Sequence, residues 1–214
     1  MKVILFNILI ASLLLSSACT PLPEGVPEPG KVVYASSNVG RDEEPQVLPG
    51  QLEALAAGNT AFGLNFYHQI SDEEGNLIFS PLSLSLALSM TMAGAQGETQ
   101  NEMLQALSLQ EVEGEVHPTF NALLQAIDAS MSVAGPPSDG DAFQLNIANS
   151  IWGNAGTNFE TAFLDTLARN YGAGIYSVDY EADAEAARQA INAWIGDETA
   201  GKIPDLIPEG LIDA

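Results

Sequence analysis

Cysteine and cationic residues are scarce in this sequence. Cys19 is the only cysteine among 214 residues, so no disulfide can form within the chain and no cysteine cluster can hold zinc or an iron–sulfur centre. Lysine and arginine number 6 against 28 aspartates and glutamates, which gives a formal net charge of −22. A field of that sign repels nucleic-acid phosphates, so we expect a solvated acidic surface and no nucleic-acid partner.

Sequence motifs of enzyme active sites are missing as well. The chain has no Gly-x-Ser-x-Gly, Ser-x-x-Lys or His-Glu-x-x-His pattern, and no glycine-rich phosphate loop before a lysine. His68 falls at the end of a predicted helix and His117 before a proline in a predicted loop. We expect each histidine to be exposed or structurally bonded. The sequence therefore indicates no enzyme, no cofactor and no metal.

The first residues have the layout of a secretory signal. Lys2 precedes an apolar run from residue 3 to 15, and small residues follow up to Ala18, so we expect residues 1–18 to be removed. The segment Leu15-Ser16-Ser17-Ala18-Cys19 resembles a bacterial lipobox, although Ser16 stands where that pattern prefers a large aliphatic residue. The resemblance implies lipidation of Cys19 and attachment to a membrane. An ordinary signal peptide with an incidental cysteine is the alternative, and both place the protein outside the cytoplasm, secreted or in the cell envelope.

Residues 19–50 are rich in proline and poor in large apolar side chains. Such a composition favours extended, solvated conformations and gives little surface to bury. We therefore predict a tether over 19–50 and a folded domain over 51–214.

Helical patterns dominate the first half of that domain. Apolar residues from Leu52 to Ile70 follow a helical stripe. Ser80 and Pro81 then fit the N-cap and first position of a helix over residues 81–93, which we expect to be buried nearly all round. Capping-box patterns at Thr99-Gln100-Asn101-Glu102 and Thr157-Asn158-Phe159-Glu160 predict two further helix starts.

A short apolar strand is predicted at Asn76-Leu77-Ile78-Phe79, and the longer strand patterns appear in the second half of the domain. Alternation of apolar and polar residues predicts strands over 143–152 and 175–180, and a last helix carries Ala187 to Ile195 on its inner stripe and ends by Gly201. Helices come first, and strands and helices then alternate, so the predicted fold class is α+β.

Three stretches in this order resemble the serpin family of protease inhibitors, over roughly residues 55–214. The first runs from Asn76-Leu77-Ile78-Phe79-Ser80-Pro81 through Gly94-Ala95-Gln96-Gly97-Glu98-Thr99 to Leu104. The second is Leu145-Asn146-Ile147-Ala148-Asn149-Ser150-Ile151-Trp152 with the helix through Phe163. The third joins Ile191-Asn192-Ala193-Trp194 to Thr199-Ala200-Gly201-Lys202-Ile203-Pro204.

The resemblance implies inhibition of a serine, or possibly cysteine, endopeptidase by a suicide-substrate mechanism. A reactive loop near the C-terminus offers a bait bond, and the cleaved loop inserts into the large central sheet. Ser80 and Ser83 resemble residues of the shutter beneath that sheet, with a helix cap and a small packing residue as the structural alternatives. Asn192, Thr199 and Gly201 resemble residues of the helix over the sheet and the following turn, where a structural role is expected.

The sequence stops at Ala214, before the position of the reactive loop, so the reactive-site bond is absent from it. We expect the reading frame to continue into a further central strand and that loop. A non-inhibitory serpin-fold binding or carrier lipoprotein is the second hypothesis, because the features that would separate the two lie in the loop.

Overall fold

The computed structural model describes residues 4–5, 31–72, 74–112, 115–133 and 145–212. The helices within these ranges are α1 (Gln51–Ile70), α2 (Pro81–Met92), α3 (Gly97–Ala106), α4 (Val116–Val133), α5 (Thr161–Tyr171) and α6 (Ala184–Glu198). The strands in the same ranges are β1 (Ile4–Leu5), β2 (Val33–Ala35), β3 (Leu77–Ile78), β4 (Ile151–Asn154) and β5 (Ile175–Val178). Apart from the short strands β1, β2 and β3, helices come first and strands and helices then alternate. This is an α+β fold, as the sequence predicts.

Helix α2 lies at the centre of the fold. It begins where the sequence predicts, with Ser80 as N-cap and Pro81 in the first turn, because proline has no N–H to lose there and its fixed φ suits a helix. No residue of α2 is exposed. Leu84 and Leu86 pack with α1 and α4, whereas Met90 packs with α5 and β5. The helix therefore joins two parts of the core.

The main sheet of the described residues has the strand order β2-β5-β4. β5 runs antiparallel to β2 and parallel to β4, with Ile151 opposite Ile175 and Trp152 opposite Tyr176. Because successive side chains of a strand point to opposite faces, the two isoleucines share one face and the two aromatic residues share the other. A separate parallel pair joins β1 to β3.

β4 is shorter than the sequence predicts. The alternating pattern indicates a strand over residues 143–152, but β4 starts only at Ile151 and residues 145–150 have no regular structure; residues 143–144 lie outside the described part. The reason is pairing, since Ile151 lies opposite Ile175, where the neighbouring strand β5 begins. An alternating sequence without a partner strand cannot form a ladder.

The two capping-box predictions are wrong. α3 begins at Gly97 and α5 at Thr161, and neither start has a side-chain cap hydrogen bond. Thr99 therefore lies inside the first turn of α3, and Thr157 lies before α5. Before Thr161, Phe159 packs against the core cluster of Leu167, and the start of the helix has no local side-chain cap.

Residues 31–50, here called the upstream segment, lie against the domain. Val33–Ala35 pairs with the edge of β5, and the side chains of Asn121 and Gln125 on α4 each donate to the main-chain oxygen of Asp42 at 2.7 Å. The Asp42 N–H donates to the Arg169 carbonyl at 2.9 Å. These partners are distant in sequence, so composition alone predicts a free tether here, whereas this part of residues 19–50 is docked.

Candidate functional site

Ser80 and Ser83 lie together at the start of α2. The Ser80 Oγ accepts a hydrogen bond from the Ser83 N–H at 3.2 Å, which satisfies one of the amide groups that a helix start leaves unpaired. Both side chains are half-buried. The helix-cap function of Ser80 is confirmed, and the shutter role of the two serines stays a prediction.

Two other serines of α2 are more deeply enclosed. Ser85 and Ser89 are 0% exposed, one helical turn apart, and neither hydroxyl has a hydrogen-bond partner among the described residues. A buried hydroxyl without a partner costs stability. The sequence shows both serines but does not distinguish them from Ser83, because a helix that is apolar nearly all round has no polar face to orient it.

The face of the sheet toward α2 and α5, here called the aliphatic face, has a buried core without aromatic rings, and aromatic side chains pack only around that core. Met90, Leu167 and Ile175 form a buried cluster there, with Ile151 and Phe163 packed against it. Contacts of this kind depend on shape and volume and not on direction. The predicted shutter residues are on the helix that covers this face.

The opposite face of the sheet carries aromatic rings and supports α6. Trp152 and Tyr176 stack with ring centroids 4.7 Å apart, and the Trp194 ring of α6 lies 5.9 Å from that of Tyr176. The Trp194 Nε1–H donates to the Tyr176 hydroxyl at 3.2 Å. Ring pairs at these separations are attractive in tilted or offset geometries, so α6 is held over the sheet by oriented contacts.

Asn192 on α6 holds the later segment around Ile207 against the helix. It is 4% exposed, its Nδ2 donates to the Ile207 carbonyl at 2.9 Å, and its Oδ1 accepts from the Ile207 N–H at 2.9 Å. One side chain thus satisfies both main-chain groups of a buried residue that has no strand partner. Ile207 in turn packs against Ile191 and Ile195.

Thr199 and Gly201 shape the turn after α6. The Thr199 Oγ1 donates to the Ile195 carbonyl at 2.7 Å and accepts from the Ile203 N–H at 3.1 Å. Gly201 has a φ of +74°, a left-handed conformation that is costly for residues with a side chain. Asn192, Thr199 and Gly201 therefore have a structural role, because they stabilise the turn after α6 and the chain that follows it.

The predicted site residues therefore fall into two groups on opposite sides of the sheet. Ser80 and Ser83 are on α2, whereas Asn192, Thr199 and Gly201 belong to α6 and its turn. Cys19 lies outside the described residues. No group of three or more His, Cys, Asp or Glu side chains that could hold a metal ion occurs in the described ranges.

A half-buried pair that the sequence does not reveal lies near the aliphatic face. His117 is in the first turn of α4 and not in a loop, and its Nδ1 is hydrogen-bonded to the Tyr171 hydroxyl at 2.7 Å. Burial lowers the pKa of His117 to about 4 and raises the pKa of Tyr171. Both groups are therefore neutral at pH 7, and the pair ties α4 to α5.

Helix length and apolarity bear on membrane association. Over the residues that the structure describes, no helix is both long and apolar enough to cross a bilayer.

Comparisons with known proteins agree in one family. A family model described as "Serpin (serine protease inhibitor)" matches residues 57–214. The leukocyte elastase inhibitor of Sus scrofa is 34% identical over 165 residues, which cover 76% of this chain and 41% of that protein. The Homo sapiens leukocyte elastase inhibitor is also 34% identical, over 164 residues with the same coverage.

Solved structures agree with this result. A crystal structure of maspin superposes with a TM-score of 0.65 at 27% identity, covering 77% of this chain and 41% of that one. Arabidopsis AtSerpin1, in a native stressed conformation, gives 0.62 at 25% identity, with 78% and 41% covered. The chain spans about two fifths of the length of these relatives. The family match over most of the chain and the shared fold show that this chain belongs to the serpin family.

Proposed function

We propose that the complete protein inhibits a serine or papain-like cysteine endopeptidase and is not itself an enzyme. The observation that carries the proposal is the family match over residues 57–214, together with relatives named leukocyte elastase inhibitor. In the proposed mechanism the protease attacks a bait bond and forms an acyl-enzyme. The cleaved loop then enters the central sheet before water resolves the ester, and the protease stays trapped.

The position of β4 in the sheet bears on this mechanism. β4 pairs with β5 on one side, and its other edge has no partner strand among the described residues. A free edge presents unpaired N–H and C=O groups that a further strand can use. The further central strand expected after residue 214 would pair at this edge. Insertion of the cleaved loop beyond that strand requires that α2 on one face and α6 on the other allow the strands to move.

A test is to mix the product of the complete reading frame with a panel of serine and cysteine proteases. An inhibitor gives a covalent complex that survives denaturing electrophoresis, with some cleaved inhibitor beside it. The same protease with a chemically blocked nucleophile gives no complex. Cleavage without any complex would contradict inhibition and favour the non-inhibitory binding or carrier protein.

Ser83 supplies a variant for the same assay. Ser83→Phe introduces a large ring at a half-buried position of α2, and overpacking beneath the sheet should lower the yield of complex relative to cleaved product. Ser130→Phe is the matched control, because Ser130 is exposed near the end of α4. Equal yields from the two variants would contradict a role for Ser83 in strand movement.

We also propose that Cys19 carries a lipid and that the protein is exported and held at a membrane. The support is the signal-like segment before Cys19 and the proline-rich residues after it. Several acyl chains on Cys19 would give durable anchoring. Removal of residues 1–18 would also remove β1, which is the strand partner of β3 among the described residues. Cys19→Ser should move the protein from the detergent phase to the aqueous phase. A wild-type protein that is already aqueous would contradict the anchor.

A further inference from the structure

A cavity lies between the upstream segment and the domain, and the proposed inhibition does not use it. Its volume is about 160 Å³, similar to the roughly 150 Å³ of a protein cavity that accepts benzene. Arg41 of the upstream segment lies on one side, and apolar side chains of α2 and α4 contribute the walls. These apolar residues are Leu86, Met90, Leu124 and Ile127.

Two hydrogen-bond donors of the cavity have no partner. The Arg41 Nη2 and the Asn149 Nδ2 are buried atoms without a hydrogen bond among the described residues, and both residues line the cavity. The orientation of the Arg41 guanidinium is fixed, because its Nε donates to the Oδ1 of the fully buried Asn121 at 2.9 Å. Buried donors are normally satisfied, and an unsatisfied N–H on a cation is the most costly kind.

We propose that this cavity binds a small monocarboxylate with an apolar body of about the size of a benzene ring. The carboxylate would accept from Arg41 and Asn149, and the apolar body would contact the α2 and α4 side chains. A carboxylate suits the site because both unsatisfied groups are donors and one of them is a cation. Arg41 belongs to the upstream segment, so the ligand would link that segment to the domain.

Asp128 is the acidic group among the lining residues and faces the same cavity. Asp128 is exposed and has an interaction partner. Solvent therefore screens the charge of Asp128 more than it screens the buried donors. Asp128 should weaken carboxylate binding by repulsion. Asp128→Asn is therefore expected to tighten binding a few-fold, a change in the opposite direction to loss of a donor.

The test is a calorimetric and NMR titration of the full chain with benzoate, beside benzyl alcohol as an uncharged ligand of similar shape. Saturable benzoate binding in the millimolar range or tighter is expected, with benzyl alcohol at least about tenfold weaker. Equal binding of the two compounds, or no saturable benzoate binding, would overturn the proposal.

Variants separate ligand contact from folding. Asn149→Ala removes a donor that has no partner in the free protein, so it should lower benzoate affinity about tenfold without lowering the melting temperature. Arg41→Met should lower affinity at least as much. Arg169→Met is the matched control, since it removes an exposed arginine of which the structure uses the main-chain carbonyl. Unchanged affinity in Asn149→Ala and Arg41→Met would overturn the assignment of the site.

Discussion

The sheet formed by β4 and β5 is covered differently on its two faces. On one face, aliphatic side chains of α2 and α5 pack around Ile175. On the other, α6 rests on a stack of Trp152, Tyr176 and Trp194, with ring contacts and hydrogen bonds that depend on direction. The first face is stabilised mainly by close packing of apolar side chains. The second face also depends on the orientation of rings and of a hydrogen bond.

The largest effect should come from the aliphatic face. Leu167 is 0% exposed in the cluster with Met90 and Ile175, so Leu167→Ala should reduce the free energy of unfolding by about 3 kcal/mol through lost burial and a cavity. Urea denaturation followed by circular dichroism measures this change. Leu64→Ala is the control, because Leu64 is 58% exposed. Similar losses in the two variants would contradict the packing of this face.

A smaller effect is expected where α6 holds the returning chain. Asn192→Ala leaves the N–H of the buried Ile207 without its partner, whereas the Ile207 carbonyl keeps the bond that Arg188 Nη1 donates at 2.8 Å. The change should cost about 2 kcal/mol. Hydrogen exchange at Ile207 should accelerate together with this loss. Gln189→Ala, on the exposed side of the same helix, should leave exchange at Ile207 unchanged. If the Ile207 N–H remains protected from hydrogen exchange in Asn192→Ala, the proposed role of Asn192 is contradicted.

A pH dependence of the stability is also expected, on the aliphatic side of the sheet. Burial lowers the pKa of His117 from its ordinary 6.5 to about 4. Between these values the unfolded chain binds a proton that the folded chain does not bind. The free energy of unfolding should therefore fall as the pH drops from about 6.5 to about 4.

The measurement is urea denaturation across that pH range for the wild type and two variants. His117→Phe should lose the part of the pH dependence that comes from this histidine, although it also removes the bond to Tyr171. His68→Gln, at an exposed position in the last turn of α1, should keep the wild-type dependence. Identical slopes in His117→Phe and the wild type would show that His117 is not the responsible group.

The sequence predicts elements well where local chemistry determines them. Ser80-Pro81 marks the start of α2, and alternation in residues 175–180 finds β5, because a cap, a fixed φ and a period of two are local properties. The α+β class follows from the order of these elements.

Features that depend on residues distant in sequence could not be predicted from the sequence. Residues 145–150 alternate like a strand but have no strand to pair with. The proline-rich upstream segment reads as a tether, yet Asn121 and Gln125 on α4 bind its main chain. At the site, the sequence identifies Ser80 and Asn192 through a family resemblance, but neither the bond between His117 and Tyr171 nor the unsatisfied donors of Arg41 and Asn149 can be read without the fold.

The central claim is that the sheet of the complete protein accepts its own cleaved loop. The most direct measurement is the melting temperature of the complete protein before and after cleavage by a protease that cuts the loop without being trapped. In the proposed mechanism, strand insertion would release strain stored in the intact fold, so the cleaved form should melt well above the intact form. A cleaved form that melts at or below the temperature of the intact form would contradict the claim.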